Sequence, residues 1–440
     1  MTTTPTAGHS AVQPGPFDGR ALSTIQVTVF AICFLIAALD GFDTQAMAFV
    51  APALGPAWGL EHHQLGPIFS ASLVGSLIGA LLLGPAGDRW GRRPVLIASM
   101  LVFGLTSLVL TQATTVPELM VGRLVTGLGL GGAVPALIAL TAEYSPRHRR
   151  ASLIMLMFSG FPIGAVAGSL LSAWMIPVFG WESVFLVGGL APLASLLVVI
   201  PLLPESLAHL KARGADDKAA RILARVGAPV EAAALHVEPH HRAQGSIRQL
   251  FEEKRAVGTL LIWTTFALSL LLSYFIISWL PTLMREAGLP VRGALLTSAA
   301  LNLGSVAGSL VFARMVDRRG PHGILASAYL VGGVMVALIG MATGSMGLLI
   351  AAVAAAGFFS IGAQLCMAAV AAEYYPERLR GTGIGWSMGI GRIGAVAGPT
   401  IAGVLLSFGI ERGPLFIIAG VVSVLAATCV WLLGQYGRRV

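Results

Sequence analysis

Ile163-Gly-Ala-Val-Ala-Gly168 returns letter for letter as Ile393-Gly-Ala-Val-Ala-Gly398, 230 residues further along the chain. Ala142-Glu-Tyr-Ser-Pro146 comes back as Ala372-Glu-Tyr-Tyr-Pro376 at the same offset, and Asp88-Arg as Asp317-Arg at an offset of 229. One such match is within chance for a chain rich in alanine and glycine. Three that share an offset mark a duplicated unit, and each unit is about half of the 440 residues.

The sequence around the repeat is apolar almost throughout. Hydrophobic side chains make up 56% of the chain and charged ones 11%, against roughly 25% charged in a water-facing domain. Runs long enough to cross a bilayer as a helix fall at 25–55, 64–86, 95–113, 116–143, 151–176, 183–204, 256–284, 293–315, 323–343, 346–372, 382–409 and 413–435. The first carries Pro52 and Pro56, where it could split. A closed barrel is the only other backbone that satisfies itself in lipid, and it needs short alternating segments. The unbroken run Leu77–Leu83 is not one. The expected fold is an all-α membrane protein: twelve transmembrane helices in two pseudo-symmetric six-helix halves. Residues 1–23 form an N-terminal tail, 24–204 the first half, 205–255 a linker, 256–436 the second half and 437–440 a C-terminal tail.

Basic residues set the orientation. Arg89, Arg92 and Arg93; Arg147, Arg149 and Arg150; Arg314, Arg318 and Arg319; and Arg378 and Arg380 occupy one set of loops. The alternate loops hold only Arg285, Arg292 and Arg412. The positive-inside rule makes the first set cytoplasmic, with both termini on that side and Arg438 and Arg439 at the end. The net charge of +8 is then loop arginine, and no nucleic-acid partner is expected. Residues 1–23 lack a basic start followed by a short apolar core, so the first run reads as a retained helix. Cys33, Cys366 and Cys429 lie inside apolar runs with no metal spacing and read as packing residues. In the linker, apolar residues recur at helical spacing over Leu207–Leu223 and Ile247–Phe251, which suits amphipathic pieces at the membrane surface.

Two halves of one orientation can rock about a central site, as a transporter requires. Gly127, Gly129, Gly131 and Gly132, with Gly381, Gly383, Gly385, Gly389 and Gly391, suit close helix contacts. The chain carries no H-E-x-x-H, Walker loop or Gly-x-Ser-x-Gly, so no enzyme activity and no cofactor are expected. Transport would draw on an ion gradient, and an acidic pair in the first span suggests protons.

Gly84-Pro-Ala-Gly-Asp-Arg-Trp-Gly-Arg-Arg93 matches G-x-x-x-D-[RK]-x-G-[RK]-[RK] in full, and in this the chain resembles the major facilitator superfamily. The resemblance implies a conformational latch built on Gly84, Asp88, Arg89, Gly91, Arg92 and Arg93. Asp88 could cap a helix or pair across the seam between the halves, and the arginines could reach helix ends and lipid phosphates. The second copy keeps Asp317, Arg318, Arg319 and Gly320 but has Pro321 and His322 where basic residues would stand. Glu143 and Glu373, at the ends of the fourth and tenth spans, suit a gate with the loop arginines.

Asp40-Gly-Phe-Asp43-Thr, running on to Ala51-Pro-Ala, resembles the D-G-x-D-T signature of the aromatic acid:proton symporters, the carriers of 4-hydroxybenzoate and protocatechuate. Met157-Phe-Ser-Gly-Phe-Pro-Ile-Gly164 and Gly180-Trp-Glu-Ser-Val184 look like that family too. The resemblance implies import of a small aromatic carboxylate with a proton by alternating access. It also implies a bacterial-type cytoplasmic (inner) membrane and a monomer embedded in the lipid bilayer. The alternative is a proton-driven exporter of the same fold. Such exporters carry G-x₃-G-P in the fifth helix, whereas here the proline is displaced to the eleventh, in Gly394–Pro399.

Charges inside a membrane are costly and therefore candidate functional groups. Asp40 and Asp43 are three residues apart, on one side of a helix, and keeping both ionised in an apolar span is expensive. One of them is a candidate proton carrier, and the resemblance gives the pair an essential role; a structural pairing of either with a nearby arginine is the other possibility. Arg392 stands where the first half has Pro162, and its planar fork suits a carboxylate. Arg123 is a second basic candidate, unless it snorkels to the helix end. Asn302 and Gln364 are polar candidates. Tyr274, Trp279, Phe42, Phe158, Phe161 and Trp386 could supply an aromatic slot for a ring.

Overall fold

The computed structural model describes Phe17 and residues 22–226, 246–341 and 345–437. Arg438 and Arg439, most of the N-terminal tail and linker residues 227–245 lie outside the described residues. Twelve helices are long and apolar enough to cross a membrane: α1 Thr24–Trp58, α2 His62–Trp90, α3 Arg92–Leu110, α4 Val116–Glu143, α5 Ser152–Phe179, α6 Glu182–Leu202, α7 Ala256–Glu286, α8 Val291–Arg319, α9 Pro321–Met341, α10 Met346–Tyr374, α11 Arg378–Ser407 and α12 Arg412–Tyr436. The chain is a multi-pass helical membrane protein, and no strand occurs among the described residues.

The first helix does not split at its prolines. It begins at Ser23, which exchanges capping hydrogen bonds with Gln26, and ends at Gly59, whose φ of 62° is left-handed. Two helices expected to be continuous are broken instead. α5 is interrupted at Ser159, between Arg150–Phe158 and Gly160–Phe179. α10 passes through a π-helical turn, Gly357–Ile361, and breaks again at Cys366. Such turns hold one extra residue and collect at functional sites.

The duplicated hexapeptide does the same work in both halves. A Cβ on Gly164 would lie 1.8 Å from the Ala38 carbonyl oxygen, so α5 meets α1 backbone to backbone. A Cβ on Gly394 would lie 2.0 Å from the Ala267 carbonyl oxygen, which brings α11 onto α7 in the same way. Without a driving force from water, helices in lipid associate through such close packing.

The hydrogen bonds that join the halves cluster away from the arginine-rich face. His62 Nε2 meets Glu286 Oε1 at 2.8 Å. Ser70 Oγ donates to the Val396 carbonyl at 2.7 Å and meets Thr400 Oγ1 at 2.8 Å. Ser169 Oγ donates to the Leu295 carbonyl. Arg392 Nη1 donates to Ser76 Oγ at 3.0 Å, about midway along both helices. Toward the arginine-rich face from there, Gly381, Gly385 and Gly389 lie on the same helical face as Arg392, and a side chain on any of them would meet open space. The halves are closed at one end and apart at the other.

The described parts of the linker form short helices, Leu207–Ala212 and Asp216–Val226, whose Leu207, Ala219 and Leu223 are buried against the first half. Their apolar faces thus pack on the protein itself.

Candidate functional site

Asp43 and Arg123 form a pair with 1% and 0% of their side chains exposed. Arg123 Nη1 donates to Asp43 Oδ2 at 3.1 Å, and its Nη2 donates to the Asp43 carbonyl at 3.0 Å and to Ser72 Oγ at 3.1 Å. Ser107 Oγ donates to Asp43 Oδ1 at 2.9 Å. One carboxylate and one guanidinium thus tie α1, α2, α3 and α4 together. Burial of a charge is tolerated when it is paired and hydrogen-bonded in this way, although the Arg123 Nε–H is left without a partner. Arg123 does not snorkel: it points into the first half.

Asp40 faces elsewhere. Three residues are 300° of helix, so the two aspartates are offset by about 60°, enough to send them to different neighbours. Asp40 Oδ1 accepts from Thr44 Oγ1 at 3.1 Å and lies within electrostatic reach of Arg392 on α11. Tyr274 of α7, half-buried, is within reach of both. Asp40, Arg392 and Tyr274 thus gather where the two halves meet, at the closed end of the opening.

Asn302, a polar candidate, is committed to a partner on the first helix. Its Nδ2 donates to Gln45 Oε1 at 3.0 Å while Gln45 Nε2 donates to Asn302 Oδ1 at 3.0 Å, both amides being buried. A glutamine two residues past Asp43 carries no sequence signal beyond its polarity in an apolar span. Truncating either to alanine strands the other amide, at about 1–3 kcal/mol. The double variant should cost no more than one single, and melting temperatures of the three proteins in detergent would show it.

The aromatic candidates scatter. Tyr274 is at the site. Phe42 is buried, and a Cβ on Gly168 of α5 would lie 2.6 Å from its ring. Phe161 presents its backbone to Gly41. Phe158 is partly buried in the core of the first half. Trp279 is fully buried, donates Nε1–H to the Pro399 carbonyl at 2.9 Å and meets Phe69 edge-on. Trp386 stacks on Trp263, nearer the arginine-rich face than Arg392. Gln364 is half-buried in α10, just past the π turn.

The Gly84–Arg93 stretch is helix rather than loop. α2 runs through Trp90, and Gly91 alone, with φ 110°, separates it from α3. Asp88 pairs with Arg92 one turn on, not across the seam. Gly84 packs near Pro135, Arg89 is exposed, and Arg93 donates to the Ile200 carbonyl. The group that orders this corner is Glu205, which was not singled out in the sequence. Its Oε1 accepts from the backbone N–H of Arg92 at 2.9 Å and of Arg93 at 3.1 Å, and a Cβ on Gly91 would lie 2.5 Å from its Oε2. A carboxylate on the unpaired N–H groups of a helix start caps it. Glu205→Ala should lower stability by about 1–2 kcal/mol, read as a fall in melting temperature.

Glu143 turns to the linker, accepting from Ser206 Oγ at 2.9 Å. Glu373 lies 3.6 Å from His322, the residue that replaces a basic one in the second copy of the motif. Asp317 and Arg318 are exposed at the end of α8.

A sequence profile of the Major Facilitator Superfamily matches residues 33–342 and 296–439. The chain is 41% identical over 425 residues to the gallate transporter of Pseudomonas putida, covering 96% of this chain and 95% of that one. It is 40% identical over 411 residues to the 4-hydroxybenzoate transporter PcaK of Acinetobacter baylyi, covering 90% of each. Among solved structures, the partially occluded inward-open xylose transporter XylE from E. coli superposes with a TM-score of 0.72 at 19% identity, covering 93% of this chain and 99% of that one; at that identity it speaks for the fold alone.

Proposed function

Because this chain belongs to the major facilitator superfamily, whose members are transporters rather than enzymes, we propose that it imports a small aromatic carboxylate with a proton by alternating access. The observation that carries the reading is that Arg392, Asp40 and Tyr274 lie within electrostatic reach of one another, with Arg392 bonded across the seam between the halves. The guanidinium fork matches a carboxylate, Tyr274 offers an aromatic face and a hydroxyl, and Asp40 can take up a proton as the anion arrives. Asp43, held by Arg123, Ser107 and its neighbours, keeps the first helix in register beneath it. The relatives named for gallate and 4-hydroxybenzoate support an aromatic acid as the cargo. The positive-inside rule supports a cytoplasmic arginine-rich face, with both termini on that side of a bacterial-type inner membrane and the present arrangement inward-facing. One chain holds all the groups invoked, so a monomer suffices, with a proton gradient as the energy source and no cofactor.

Membrane vesicles loaded with the protein test this. Gallate, 4-hydroxybenzoate, benzoate and xylose would be offered at two external pH values, with and without an uncoupler. Accumulation of an aromatic acid that rises at the more acidic pH and collapses with the uncoupler is expected. Accumulation of xylose instead, or of an aromatic acid unaffected by the uncoupler, would rule the reading out.

A further inference from the structure

Two serines one turn apart on α2 each receive a guanidinium. Ser72 Oγ accepts from Arg123 of its own half at 3.1 Å, and Ser76 Oγ accepts from Arg392 of the other half at 3.0 Å. Their backbone is held firmly. A Cβ on Gly127 would lie 1.9 Å from the Ser72 carbonyl oxygen, and one on Gly131 2.0 Å from that of Ser76. In return, Gly75 and Gly79 bring α2 as close to the Leu124 and Leu128 carbonyls of α4. The Ser76 hydroxyl is therefore a fixed point of the first half, presented to a long side chain of the second.

Arg392 has two classes of acceptor to choose from. A neutral hydroxyl takes one of its five donors and leaves its charge uncompensated. The Asp40 carboxylate, within electrostatic reach, would take the fork bidentately and leave little for an incoming anion. Arg392 is half-buried beside open space at Gly389, so packing alone does not settle the choice.

We infer that Ser76 is a positioning residue for substrate capture: its hydroxyl tethers Arg392 across the seam, off Asp40, with the rest of the guanidinium turned to the carboxylate of the cargo. The inference rests on Arg392 being the carboxylate anchor, as proposed above. It adds a residue of the opposite half to the anchor, so that anion binding senses the spacing of the halves.

The test compares Ser76→Ala, Ser76→Thr and Arg392→Ala with wild type in reconstituted vesicles, using gallate and 4-hydroxybenzoate as probes. Ser76→Ala should raise KM roughly tenfold, the scale of one hydrogen bond to a charged group, with Vmax within about twofold of wild type. Ser76→Thr keeps the hydroxyl and should bring KM back. An unchanged KM in Ser76→Ala, or a loss of Vmax at unchanged KM, overturns the inference, as does a Ser76→Thr protein no better than Ser76→Ala. If Arg392→Ala also leaves KM unchanged, the anchor itself is wrong and both readings fall. If Arg392→Ala raises KM and Ser76→Ala does not, only the tether is lost.

Discussion

Arg123→Ala should abolish uptake and cost the fold about 3–5 kcal/mol, because it leaves a fully buried carboxylate without its counter-charge. The loss spreads over four helices, since the guanidinium bridges Asp43 and Ser72 while Ser107 completes the carboxylate's shell. Asp43→Leu combined with Arg123→Leu should recover much of the stability, because an apolar pair of similar volume removes the desolvation cost along with the attraction. Transport should stay absent in that protein. Melting temperature in detergent and vesicle uptake, measured on the same preparations, separate the two effects. A double variant as unstable as Arg123→Ala would mean that the pair is not what holds these helices in place. Arg285→Ala, on an exposed side chain, should change stability by less than about 0.5 kcal/mol.

Gly164→Val should be as damaging by a different route. Its first side-chain carbon would fall 1.8 Å from the Ala38 carbonyl oxygen, and neither backbone can yield without moving a whole helix. α1 would be pushed off α5, carrying Asp40 and Asp43 out of register with Arg392 and Arg123. Uptake is expected to fall below about 1% of wild type, with poor insertion or stability, since overpacking a backbone contact exceeds the usual 1–3 kcal/mol for an added methylene. Gly394→Val should behave alike, through Ala267 of the second half. Wild-type uptake by either variant would show that the repeat is not a packing device.

That equivalence explains why so much of the fold could be read in advance. A helix contact that only glycine permits leaves letters in the sequence, and a contact used in both halves leaves them twice. The span count follows equally from a simple quantity, apolar length. The breaks in α5 and α10 left no such trace: an inserted residue or a lone turn at Ser159 or Cys366 does not alter an apolar run.

The site was legible where it was charged. Asp40, Asp43, Arg123 and Arg392 are conspicuous because lipid penalises them. Their pairing was not legible, because spacing along one helix cannot say which of two aspartates meets which arginine. The hydroxyl and amide partners were hidden for a related reason. Ser72, Ser76, Ser107 and Gln45 are common in tightly packed membrane helices, and only three-dimensional neighbours distinguish one that holds a guanidinium from one that bonds its own helix. Glu205 carries no such signal because it sits outside every apolar run. Aromatic residues are ambiguous in the opposite sense: Trp279 fills the core while Tyr274 lies within reach of Arg392, and their letters alone do not tell the two uses apart.

The backbone interlock between α2 and α4 offers a yardstick for watching the molecule turn over. Spin labels or fluorophores on those two helices should report one constant separation in every state, because neither can slide past the other's glycines. Labels spanning α2 and α11 should report at least two. The first pair calibrates the second within a single molecule, so rigid-body tilting and local bending could be told apart without a second reference protein.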